Sequence, residues 1–146
     1  EIGSGLVGSE MCIRDRYINM LNPEQCSYSI IMSTEIIGLS HKEREIIANV
    51  VKYNTMAFDA DDALWSFDRK DYLTIAKLTA ILRVSNSLDR GHRQKFQDIE
   101  VAVKDNMLVI TAHTFEDITL EKAYFTERVE FFEEVYGLKT VIKQKR

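Results

Sequence analysis

The sequence predicts an α+β fold, a mainly α-helical bundle followed by a small β-hairpin, helix and strand. Three observations carry this. From Glu24 to about Gly91 apolar residues recur at helical spacing. After Phe96 the period drops to two, and from Ala123 a helical stripe returns and closes at Gly137. A chain of 146 residues, 45% apolar and 29% charged, suits one soluble globular domain, or one with a small appendage, and can bury a core.

Residues 1–16 are glycine-rich and show no sustained period, and they resemble translated adapter read-through. The native fold is expected to begin near Tyr17, which would leave Cys12 without a role. From Glu24, the residues Cys26, Ile30, Ser33 and Ile37 fall on one helical face, and Gly38 is placed as the C-terminal stop. Ser40 and Glu43 form a capping box, in which hydroxyl and carboxylate satisfy each other's orphan amides. The helix they open is expected to run from His41 to Tyr53, burying Ile47, Val50 and Val51, with Asn54 on the same stripe. Residues 55–65 read as an acidic loop. Asp68 and Asp71 open a third helix of about 22 residues. Its expected stripe is Ile75, Leu78, Leu82, Ser85 and Asp89, and Gly91 ends it.

Ile99, Val101 and Val103 then alternate, Lys104-Asp105-Asn106 is turn chemistry, and Met107, Val109 and Thr111 share the next face, which makes a hairpin. Ile118 and Leu120 suggest a short third strand. A helix near Ala123 directs Phe125, Val129, Phe132 and Val135 or Tyr136 inward, with Gly137 at its C-terminal stop and a final strand over 138–143. The expected organisation is residues 1–16 non-native or disordered, 17–95 the helical domain and 96–146 the small α+β part.

A formal charge of -4 and a pI near 5.4 argue against a nucleic-acid-binding chain, so any anion site must be a local basic patch. The acidic helix carrying Glu127, Glu130, Glu133 and Glu134 argues the same way. Two cysteines, Cys12 and Cys26, give no disulfide framework and fit a reducing, cytoplasmic setting. No apolar run approaches the ~20 residues of a membrane span.

Asp89 continues an apolar stripe, so it is expected to point into the bundle. There it must be paired, hydrogen-bonded or metal-bound. A helix cap or a pair with Arg90 or Arg93 explains it as well as a metal does. His41, His92 and His113 show no zinc spacing, and Asp59, Asp61 and Asp62 read as a solvated loop. Arg83 and Arg90 lie seven residues apart on one helix, about 10 Å along it. Arg90, His92, Arg93 and Lys95 concentrate positive charge around the glycine turn. Planar guanidinium forks suit phosphate, although cations also favour a helix C-terminus for its dipole alone. Lys143, Lys145 and Arg146 read as a solvated basic tail.

The runs Gly38–Glu45 and Leu78–Arg93, with Ser27–Tyr53 and the ending Phe131–Lys143, resemble the C-terminal region of the exopolyphosphatase and guanosine pentaphosphate phosphohydrolase family. That resemblance implies an HD-like helical domain, a homodimer, and polyphosphate or a guanosine polyphosphate as ligand. It implies phosphate contacts at Arg83, Arg90 and Arg93, with Lys95 and His92 peripheral. In that family phosphoanhydride hydrolysis belongs to N-terminal actin-like domains with a divalent metal such as magnesium. The chain is therefore expected to be a C-terminal part without its own catalytic residues or cofactor, its partners including those domains. Where the family often has Asn-His, His-Ser and Tyr-His pairs, this chain has Asn22-Pro23, Cys26-Ser27 and Tyr53-Asn54. Three imidazoles are replaced by Pro23, Cys26 and Asn54, leaving the HD metal site degenerate. An HD-type phosphohydrolase centred on Asp89 and a purely structural interaction domain remain the alternatives.

Overall fold

Ser40 caps the helix that begins at His41, as the capping box requires. Its hydroxyl accepts the Glu43 amide at 3.2 Å, while the Glu43 carboxylate accepts the Ser40 amide at 2.8 Å. A computed structural model describes residues 23–58, 64, 66–89, 95–96 and 98–145. Residues 1–22 lie outside them, so the expectation for 1–16 falls there too, as do Asp59, Asp61, Asp62 and Gly91. In chain order the elements are α1 (Pro23–Ser33), α2 (His41–Tyr53), α3 (Arg69–Leu88), β1 (Ile99–Lys104), β2 (Met107–His113), α4 (Thr119–Arg128), α5 (Glu130–Tyr136) and β3 (Lys139–Lys145). The fold is α+β. The chain divides into two compact units, 1–75 and 76–146.

In the first unit, α1 buries none of its residues. The expected stripe fails there because the helix ends at Ser33. Ile37 lies beyond it, fully exposed, and Gly38 serves the turn before α2 with a φ of 90° rather than stopping α1. Hydroxyls of Ser33 and Thr34 bond back to the Ile30 carbonyl and close the helix early. On α2 the buried residues are Ala48, Asn49, Val50 and Tyr53, whereas Ile47 and Val51 are only half-buried. Tyr53, Phe58 and Tyr72 meet edge to face, with centroids 5.2 and 5.9 Å apart. The Asp68 carboxylate accepts the Asp71 amide at 2.9 Å, the cap expected at the start of α3. Lys42 bridges Asp68 and the buried Asp71, and these carboxylates raise its pKa above the usual lysine value, Asp71 most.

The α3 stripe differs from expectation by about one residue. Buried positions are Asp71, Ile75, Ala76, Thr79, Ala80, Val84, Ser87 and Leu88, while Leu78, Ser85 and Asp89 are exposed. Rows of small side chains at i, i+4 permit close approach, and a pattern weighted by bulk picks the leucines instead. The buried Ser87 hydroxyl is satisfied by the Val84 carbonyl at 2.6 Å.

In the second unit, Ala80, Val84 and Leu88 of α3 pack with Ile110 of β2 and with Phe125, Val129 and Phe132, as expected for the last three. Phe132 stacks on Tyr136 at 4.5 Å. The sheet order is β1-β2-β3, antiparallel between β1 and β2 and parallel between β2 and β3. Asp105 and Asn106 take φ of 50° and 61°, the left-handed pair that a two-residue hairpin turn demands. Ile118 and Leu120 make no strand. The Asp117 carboxylate accepts the Thr119 amide at 3.0 Å and its hydroxyl at 2.6 Å, which starts α4 four residues before Ala123. Ile118 is buried beneath it. Gly137 closes α5 at φ 65°, as expected. The final strand runs to Lys145, so Lys143 and Lys145 sit exposed on β3 instead of in a tail.

Candidate phosphate site

Arg83 projects from α3 within the second unit. Its guanidinium lies 4.6 Å from the centroid of the Phe131 ring on α5, a cation–π contact. Burial pushes its pKa below the ordinary arginine value, and the charge of Arg128 pushes the same way. Arg128 is the last residue of α4 and is exposed. The short break at Val129 between α4 and α5 thus sets Arg128 on one side and Phe131 on the other. Two guanidinium groups that repel each other lower an arginine pKa, and an anion bound nearby would relieve that. A guanidinium is a planar fork whose N–H edges are suited to paired phosphate oxygens. Such groups bind and neutralise phosphate; they supply neither nucleophile nor general base.

Arg128 was absent from the sequence expectation, since nothing in local spacing links it to Arg83. Its one sequence signal is the three-residue step to Phe131, which places both beside the same helix break.

Lys95 occupies a different position from the one expected. Its ammonium donates to the Asp117 carbonyl at 2.7 Å and to the Glu121 carboxylate at 2.9 and 3.2 Å. The two side chains are only 13% and 4% exposed, so this is a largely desolvated pair within the fold. Arg90, His92 and Arg93 lie outside the described residues. Asp89 does not point inward as expected; it is exposed just past the end of α3, because the buried rows pass through Val84, Ser87 and Leu88 instead.

Among the described residues no three of His, Cys, Asp and Glu stand together in a way that could hold a metal ion. His41 is exposed. His113 is half-buried at the end of β2, its Nε2 3.5 Å from Glu100. Near Cys26, a cleft of about 270 Å³ between α1 and α2 holds Tyr28, Glu45, Asn49 and Lys52. Burial, reinforced by Glu45, raises the Tyr28 pKa. One carboxylate and no imidazole line it, a donor set that does not fit a divalent or transition metal. Among the described residues no helix is long and apolar enough to cross a membrane.

A family model described as Ppx/GppA phosphatase, domain III, matches residues 16–128. No curated protein matches the chain.

Proposed function

Because the chain belongs to the Ppx/GppA phosphatase family, matching its domain III, we propose that it is a noncatalytic, phosphate-binding and dimerising module of a cytoplasmic phosphoanhydride hydrolase. Its ligand is inorganic polyphosphate or a guanosine polyphosphate. Hydrolysis belongs to actin-like domains of the whole enzyme, which use a divalent metal such as magnesium. The observation that carries the reading is the Arg83 guanidinium 4.6 Å from the Phe131 ring centroid, with the exposed Arg128, whose charge bears on it, at the end of α4. The family resemblance adds Arg90 and Arg93, with His92 peripheral, to the proposed phosphate contacts. Lys95 instead braces the start of α4 through Glu121.

The HD-type phosphohydrolase reading centred on Asp89 has less support. Asp89 is exposed, and Pro23, Cys26 and Asn54 stand where that reading needs imidazoles. Metal analysis of the purified chain finding a stoichiometric ion held by Asp89 would favour it.

The test is titration of the 146-residue chain with labelled polyphosphate. Arg83→Gln and Arg128→Gln should each weaken binding about tenfold, the scale of one charge-assisted contact, with the melting transition checking the fold. Unchanged affinity in the folded double variant would refute the site.

A further inference from the structure

The sheet's two edges are finished differently. On β3 the Thr140 amide and hydroxyl both donate to the Glu133 carboxylate, at 2.8 and 3.0 Å, so a side chain occupies that edge. Among the described residues β1 pairs only with β2. The Asp98 carbonyl accepts the His113 amide at 2.9 Å, which fixes the phase of the ladder. Residues 98, 100, 102 and 104 turn their backbone groups toward β2. Those of Ile99, Val101 and Val103 face the open edge.

The same three residues carry the apolar side of the strand. Ile99, Val101 and Val103 lie opposite Ala112, Ile110 and Leu108 on the face that α3, α4 and α5 cover farther in. Yet they are 42%, 56% and 61% exposed. Among the described residues, apolar sheet surface and an unpaired hydrogen-bonding edge thus coincide on one strand, which soluble proteins ordinarily avoid with charges, prolines or bulges.

We propose that β1 pairs antiparallel with β1 of a second copy of this chain about a two-fold axis at Ala102, joining the two three-stranded sheets into one. Charge complementarity selects this partner and this register. An axis at Ala102 sets Glu100 opposite the second copy's Lys104, and by symmetry Lys104 opposite its Glu100. Val101 then faces Val103 twice on the apolar side, and their outward backbone groups complete the ladder. An axis at Val101 would pair Asp98 with Lys104 but leave Glu100 opposite Ala102, and an axis at Val103 would set Lys104 opposite Ala102, so the axis at Ala102 pairs both charged residues of β1 itself. Glu100 and Lys104 are both exposed, and the His113 Nε2 that lies 3.5 Å from Glu100 leaves most of its carboxylate open to solvent. The proposal gives a surface to the dimerisation in the functional reading and rests on that part of it alone. Loss of phosphate binding at Arg83 and Arg128 leaves it standing, and a monomeric chain leaves phosphate binding standing.

Sedimentation equilibrium of the intact chain, from micromolar to submillimolar concentration, tests it. The wild type should pass from monomer to dimer over that range. Val101→Pro removes an outward amide without touching the β1–β2 ladder, and it should abolish the dimer. Glu100→Lys and Lys104→Glu should each weaken association about tenfold by placing like charges opposite twice. Combining them should restore it. A wild type that stays monomeric overturns the proposal, and with β1 amides protected from hydrogen exchange it shows the edge covered by another segment. A Val101→Pro chain that dimerises like wild type overturns it as well. A double charge swap no better than the single ones refutes the register.

Discussion

Lys95 and Glu121 hold charges where neither could stand alone. Glu121 is almost fully buried, and Lys95 with two carboxylate contacts and the Asp117 carbonyl uses all three ammonium donors. Removing one member strands the other in low dielectric, so Glu121→Ala should destabilise the chain by about 3–5 kcal/mol. Replacing both, as Lys95→Met with Glu121→Leu, should recover most of that. Urea unfolding of the three chains decides it, and equal losses in single and double variants would deny the pair its coupling. In sequence Lys95 reads as one more cation beside Arg90 and Arg93, because its partner lies 26 positions onward. Local spacing cannot report a long-range ion pair. Arg128 was hidden for the same reason.

Elements announced by their own ends were legible: the Ser40–Glu43 box, the Asp68 cap, the Asp105-Asn106 turn and the Gly137 stop all act over a few residues. Those decided by packing were not. The face of α3 turned on the buried small residues Ala76 and Ala80, and Ile118 looked like strand although the turn at Asp117, closed by the Thr119 amide, leads from it into a helix. The Glu133 contact that links α5 to β3 is likewise tertiary. Lys139, followed by the Thr140 amide and hydroxyl, holds the Glu133 carboxyl below the usual glutamate range. A lowered folded pKa contributes stability above the unfolded value and loses it as pH falls through the folded one. Glu133→Gln should therefore be less stable than wild type near neutrality, by on the order of 1 kcal/mol. The gap should close as pH drops below the ordinary carboxylate range. Denaturant midpoints at a series of pH values measure this, and a gap constant with pH would exclude the ionic contribution.

At the scale of the whole molecule, a chain of net charge -4 repels a polyanion except where local cations outweigh the total. Polyphosphate affinity should thus fall as salt rises, with a shallow slope set by a few guanidinium groups rather than by a broad basic surface. Titrations at several ionic strengths show it, and salt-independent binding would rule out Arg83 and Arg128 as the anchor. The order in which the second unit comes together also follows from its topology. Turn and ladder of the β1–β2 hairpin are neighbours in sequence and close in about 1–10 μs. Met107 must wait for Lys139, which arrives only after α4 and α5 have carried the chain back alongside β2. Until then Ile110 has a strand on one side only, so docking of the last strand should be the slowest refolding step of this unit.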